Sequence, residues 1–249
     1  MNRVTLFSII LMLCIPIFSN AQGCMEASSD EGVNVVGYLQ SQFEYKFNDD
    51  DNESSFTFNR ARMGLVGNIP YDFSYYVMFE FSPFQAGPYL LDGFITYSRL
   101  APFAGISIGR FKSPLSLELN TPCQGLHTIN RSLVVEELTF PSRDMGILIN
   151  GHFKKLVKYA LAFTNESISE DGFDDDANKT FAGRLVISPL EFISFGGSCK
   201  YGTTELSAEG DDPDSRIRYA GEFEFKYSNI LVQAEYLQGK GFYKTGDTG

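Results

Sequence analysis

Residues 33–47 read VNVVGYLQSQFEYKF, and this stretch decides the fold. Its odd positions, Val33, Val35, Gly37, Leu39, Ser41, Phe43, Tyr45 and Phe47, are nearly all apolar, whereas the even ones, Asn34, Val36, Tyr38, Gln40, Gln42, Glu44 and Lys46, are nearly all polar. A period of two sends successive side chains to opposite faces of an extended chain, so the segment predicts a β-strand with a different solvent on each side. The pattern recurs. Ala61, Met63, Leu65 and Ile69 oppose Arg60, Arg62, Gly64 and Asn68; Phe73, Tyr75, Val77, Phe79 and Phe81 oppose Ser74, Tyr76, Glu80 and Ser82. Further on, Phe181, Gly183, Leu185 and Ile187 oppose Thr180, Ala182, Arg184 and Ser188, and Ile217, Tyr219, Phe223, Phe225 and Tyr227 oppose Arg216, Arg218, Glu222, Glu224 and Lys226. With less regular segments near 89–99, 103–112, 145–153, 157–165, 192–203 and 230–238, the periodicity predicts eleven strands and no helix.

Alternation alone fits a soluble β-sandwich as well as a membrane barrel, because both have one apolar face per strand. The connections separate them. Links 48–55, 83–88, 113–144, 166–178 and 204–215 are medium to very long, and between them fall the short links 70–72, 100–102, 154–156, 189–191 and 228–229. In an antiparallel meander every second link lies on the same side, so the tight turns share one rim and the long loops the other. That is the layout of a transmembrane antiparallel β-barrel of the bacterial outer membrane, with periplasmic turns and external loops. Phe and Tyr near the strand ends fit aromatic girdles, although the chain has no Trp.

The composition, 43% hydrophobic, 14% aromatic and 20% charged, excludes a disordered chain. A net charge of −11 argues against nucleic acid or an anionic membrane surface as a partner, since both require a cationic patch. The charge is unevenly placed. Residues 48–55, 166–178 and 205–215 hold 15 of the 31 acids and no base, so without them and Arg3 the remainder carries 19 bases against 16 acids. The acidity belongs to three external loops; strands, turns and the longest loop are slightly basic.

Residues 1–21 read as a signal peptide: Asn2 and Arg3, an apolar run from Val4 to Phe18, and a small-residue site with cleavage after Ala21. The run is shorter than the roughly 20 residues of a spanning helix. A lipoprotein anchor at Cys24 lacks the aliphatic residue expected three positions earlier. Residues 22–32 then form an N-terminal periplasmic segment, and 33–249 a partial barrel in the outer membrane of a Gram-negative bacterium. Strand eleven runs outward, an odd number cannot close antiparallel all round, and the last residues lack a strand ending in Phe. An open edge in lipid leaves backbone groups unpaired at several kcal/mol each, so the expectation is the N-terminal part of a longer protein.

Residues 111–144 lack a strand pattern yet carry Leu115, Leu117, Leu119, Leu126, Leu133, Val134, Val135, Leu138 and Phe140. An apolar loop of this length at a barrel mouth is expected to fold inward and narrow the pore. Arg60 and Arg62, on the polar face of their strand, point into the lumen, since a lipid-facing Arg near the midplane costs roughly 2–4 kcal/mol. There they act either as fixed positive charge for anions or as partners of a lumenal carboxylate such as Glu44 or Glu80. Arg184, Lys200, Arg216 and Arg218 also fall on polar faces. Arg110 and Lys112 are in phase with the outward Ile106 and Ile108, so alternation leaves their direction open. Enzyme chemistry lacks support: His127, His152 and Ser132 come with no nucleophile-elbow motif. No motif implies a cofactor, and Cys24, Cys123 and Cys199 have no metal-site spacing. Asp171, Asp174, Asp175 and Asp176 are weak Ca²⁺ candidates without EF-hand spacing.

The segments NRARMGLVG (59–67), LLDGFITY (90–97), ISIGRFKSPLSLE (106–118), NRSLVVEELTFPSRDMGILINGHF (130–153), AGRLVISPL (182–190) and GEFEFKYSNILVQAEYLQGKGFY (221–243) resemble the phosphate-selective porin O and P family. That resemblance implies a 16-stranded homotrimeric porin whose third loop enters the lumen and whose basic side chains draw phosphate or related anions through. It places Arg110, Lys112, Arg131 and Arg143 at or near the inward loop, and it implies that about five strands lie beyond the eleven read here. A general diffusion porin without anion selectivity, and a barrel serving as a surface or adhesion scaffold, are the alternatives.

Overall fold

The structure is a computed structural model that describes residues 32–47, 53–82, 87–165, 179–204 and 214–240. Met1–Gly32 and Val33–Gly249 are separate units, and the strands all belong to the second. Residues 1–21, read above as a signal peptide, Cys24, the bulk of the acidic loops and the four Ca²⁺ candidates lie outside the described residues.

Eleven strands form where the alternation predicts them: β1 Val33–Lys46, β2 Glu53–Ile69, β3 Phe73–Glu80, β4 Tyr89–Tyr97, β5 Gly105–Lys112, β6 Arg143–Phe153, β7 Val157–Thr164, β8 Thr180–Leu190, β9 Ile193–Thr204, β10 Asp214–Tyr227 and β11 Ile230–Lys240. They make one sheet in sequence order, β1 to β11, each strand antiparallel to the next. Every pairing joins neighbours in the chain, across the long links as well as the short turns.

The two faces are inverted relative to a soluble protein. Val35 is 70% exposed, and Leu39, Met63, Ile95, Ile108, Leu161, Phe181, Phe195, Tyr219 and Tyr236 are exposed too, all on one face. The other face buries Arg60, Glu80, Asp92, Lys200, Arg216, Arg218 and Glu222. A monomeric soluble protein rarely shows an apolar patch beyond a few hundred Å². A lipid-facing exterior around a polar lumen accounts for both observations. Tilted and edge-on aromatic pairs sit at the short-turn end, Phe73 with Tyr97, Phe103 with Phe153 and Phe192 with Tyr227, and others at the long-loop end, Phe43 with Phe56 and Phe163 with Phe181. These are the two girdles.

The long link after β5 departs from the sequence expectation in one respect, because it holds short helices: α1 Leu117–Asn120, a 3-10 turn Cys123–Gly125, and α2 Leu133–Leu138. Ser116 and Ser132 cap α1 and α2, their hydroxyls accepting from the amides of Leu119 and Val135. At four and six residues the helices are too short for an amphipathic repeat to register. Leu115, Leu119 and Val135 form a buried cluster with Leu237 of β11 packed against it. The loop therefore does fold inward.

It touches both ends of the sheet order. Leu117 contacts Glu235 of β11, and Cys123 contacts Arg62 of β2. Laid flat, β2 and β11 would stand about 43 Å apart at about 4.8 Å per strand, whereas the six-residue step from Leu117 to Cys123 spans at most about 21 Å. The sheet must curl around the loop, which makes the polar face a lumen.

Candidate functional site

The lumen between the loop and strands β1 to β6 contains a cavity of about 650 Å³ lined by Tyr38, Arg62, Tyr76, Asp92, Lys112, Cys123 and Arg143, among others. Each charged member arrives by strand phase or at a strand end. Arg62 lies on the lumenal face of β2, Asp92 on that of β4, and Lys112 and Arg143 face each other where β5 and β6 open into the loop. Cys123 comes from the loop itself.

Arg62 is held on three sides. Its Nε donates to Glu80 Oε2 at 2.6 Å, and its Nη1 donates to Tyr38 OH at 2.7 Å and to Cys123 Sγ at 3.1 Å, with the guanidinium 5.7 Å from the Tyr38 ring centre. Arg143 makes a forked pair with Asp92, Nε to Oδ1 at 2.8 Å and Nη2 to Oδ2 at 3.3 Å. Lys112 has no hydrogen-bond or ion-pair partner among the described residues, and Arg143 and Arg131 are near enough to repel it. Of the three cations on this wall, Arg62 and Arg143 are paired with Glu80 and Asp92, whereas Lys112 forms no ion pair among the described residues and feels Asp92 and Cys123 only at longer range.

Burial would push the Cys123 thiol up. The Tyr38 hydroxyl and the Arg62 and Arg131 guanidiniums outweigh it and bring the thiol down to about 6, so a thiolate is favoured at neutral pH. Cys123 and Cys199 are both free.

The remaining sequence candidates sort by what they touch. Arg60 donates to Gln40 Oε1, to the Ile129 carbonyl and to Asn130 Oδ1, tying the loop tip to β1 and β2. Arg131 stays within the loop, donating to the carbonyls of Glu118, Leu119 and Thr121 and to Cys123 Sγ. Lys200, Arg216 and Arg218, each only 2% exposed, donate to the carbonyls of Pro141, Phe140 and Leu138. They lie on the lumenal face as alternation predicts, and they serve the end of α2 and the chain just after it, where last-turn carbonyls lack helical partners. Arg184 forms a forked pair with Glu222 at 2.7 and 3.1 Å. A Cβ at Gly196 would collide with the Glu222 carboxylate, so glycine there leaves room for this pair. Arg110 is half-buried, with its Nε donating to the Leu91 carbonyl, while Lys112, two residues on at the strand end, lines the cavity.

Sequence reasoning missed Tyr38, Asp92 and Cys123 as site residues. Asp92 had a visible signal, an acid inside the apolar run YLLDGFITY at 89–97. Cys123 had none.

A lipid-facing sheet curled round a charged lumen and an inward loop defines the class as an outer-membrane porin. Residues 33–211 match the family described as phosphate-selective porin O and P, and the chain belongs to that family. Among solved structures, OprB of Pseudomonas putida, in a high-pH structure, matches with a TM-score of 0.56 at 11% identity over 85% of this chain and 66% of that one. This likeness supports the fold. An anion-selective porin from Comamonas acidovorans matches with a TM-score of 0.46 at 11% identity, over 85% of this chain and 79% of that one. A loop L8 deletion mutant of OmpT from Vibrio cholerae matches with a TM-score of 0.45 at 12% identity, over 87% and 84%. No curated protein matches the sequence. Family and fold point to a channel rather than an enzyme.

Proposed function

We propose that this protein is a passive outer-membrane channel favouring phosphate or related small anions, with the cavity around Arg62, Lys112 and Arg143 as its narrow, selective zone. The observation that supports this most directly is Lys112, which has no ion-pair partner among the described residues, in a cavity whose other cations are held in place by Glu80 and Asp92. Fixed positive charge in a restricted, water-poor space raises the local concentration of anions and repels cations. Guanidinium groups already oriented by one carboxylate keep further N–H donors for a tetrahedral oxyanion. The family's own description points the same way. We further propose a homotrimer, as the family resemblance implies, reached after removal of residues 1–21.

One observation favours a less selective pore. The pairs Arg62–Glu80, Arg143–Asp92 and Arg184–Glu222 neutralise three wall cations. Single-channel recording in a KCl gradient, with phosphate then added, separates the two. Selectivity for anions, and a chloride current reduced by millimolar phosphate, are the expected results. Cation preference, or indifference to phosphate, refutes the phosphate reading, and absence of any conductance indicates a scaffold.

A further inference from the structure

We infer that Glu235, on β11, is the positioning residue of the constriction: its carboxylate fixes the loop that forms one side of the selective cavity. This rests on the reading of that loop as the constriction. Glu235 Oε1 accepts from the Leu117 amide at 2.7 Å and Oε2 accepts from the Glu118 amide at 3.2 Å, across more than a hundred residues of chain. Both oxygens are thus turned to the first two amides of α1, which have no helical acceptor of their own. The approach is fixed on either side. The Ser116 amide donates to Ser198 Oγ of β9 at 3.0 Å, with Ser116 fully buried at φ 73°, and Leu237, two residues along the same face of β11, packs against Leu115, Leu119 and Val135.

From α1 the restraint passes on by direct contacts. The Glu118 carboxylate accepts from the Ser132 amide at 2.8 Å and its hydroxyl at 2.7 Å, placing Arg131 beside it. Arg131 gathers the carbonyls of Glu118, Leu119 and Thr121 and reaches Cys123 Sγ at 3.4 Å, and Cys123 meets Arg62 across the cavity. The position of the loop-borne wall beside Cys123 therefore depends on Glu235, which fixes the start of α1, while Arg60 and Arg218 hold the loop tip and the end of α2. A carboxylate in an anion pathway would oppose permeation if it faced the lumen freely. With its two oxygens on backbone donors it holds the loop and is withdrawn from the pathway. Only a carboxylate offers two acceptor oxygens spaced for consecutive amides.

The test uses the full-length protein in planar bilayers, with Glu235→Ala and Glu235→Gln, and with labelling of Cys123 by an anionic methanethiosulfonate. Labelling of a Cys123→Ser control is subtracted, because Cys199 is exposed. Glu235→Ala is expected to raise single-channel conductance at least twofold and the Cys123 labelling rate at least tenfold, while the heat-dependent gel shift of the folded barrel stays in place. Glu235→Gln, which retains one acceptor oxygen, is expected to fall between. A folded Glu235→Ala protein with wild-type conductance and labelling overturns the inference. If Glu235→Ala does not fold, Glu235→Gln decides: labelling at the wild-type rate overturns the inference, and faster labelling supports it. A pore without anion preference whose conductance still rises in Glu235→Ala would defeat the proposed function and keep this inference. An anion-selective pore unmoved by Glu235→Ala would do the reverse.

Discussion

Replacing Lys112 with Gln removes the one cavity charge that lacks a partner among the described residues while preserving length and hydrogen-bonding capacity. A cavity of about 650 Å³, treated as a sphere, has a radius of about 5 Å, so an anion at its centre lies about 6 Å from the ammonium once the nitrogen's own size is included. At that distance a unit charge contributes about 0.7 kcal/mol at the dielectric of bulk water and about 2.8 kcal/mol at an effective value near 20. The lumen lies between these limits, so anion occupancy should fall by between about 3-fold and about 100-fold. Screening shortens the reach of the charge to about 3 Å in molar salt and about 10 Å at 0.1 M, so the loss should be largest in dilute electrolyte. The assay is the reversal potential across a KCl gradient centred near 0.1 M, with the half-blocking concentration of phosphate measured on the same channel. Less than a twofold change in both quantities, in a protein that inserts with normal conductance, would refute the assignment of Lys112 as the source of anion preference.

The neighbouring contacts set further expectations. Arg143→Gln should shift selectivity toward cations by about as much as Lys112→Gln does, because each removes one positive charge from the same cavity; no shift in reversal potential would contradict the placement of Arg143 on that wall. Gly196→Ala should lower the temperature at which the barrel loses its gel shift, by an overpacking cost of about 1–3 kcal/mol, since the new methyl meets the Glu222 carboxylate. Cys123, with its thiol brought down to about 6, should react with iodoacetamide at a rate that rises through pH 6 and is level by pH 7.5. In Arg62→Gln or Arg131→Gln that rise should move to higher pH, because the neighbouring positive charge that favours the thiolate is gone. Arg218→Ala should leave the Leu138 carbonyl without this donor, costing about 1–3 kcal/mol and appearing as noisier open-channel current.

Strand positions were legible because a strand's signal is local. The alternation in VNVVGYLQSQFEYKF needs only two neighbours to declare itself, and the same holds for β8 and β10. The lumenal direction of Arg60, Arg62, Arg184, Lys200, Arg216 and Arg218 follows from that phase and from the cost of charge in lipid. Arg110 and Lys112 mark where phase ceases to inform, since at a strand end the backbone turns away and alternation no longer fixes direction. The two short helices escaped notice for a similar reason: neither is long enough to show a period.

By itself the sequence determined a lipid-facing antiparallel barrel with a long inward loop, because periodicity, link lengths and solvent costs all act over a few residues. Only the tertiary structure decided which lumenal cations face the pathway and which hold the loop. Arg62 and Arg218 look alike as arginines on the polar faces of their strands, yet one lines an open cavity and the other is buried against the carbonyl of Leu138, 80 residues away in the chain. Partners so far apart in sequence are chosen by how the sheet curls and where the loop lands, and no local pattern records that choice.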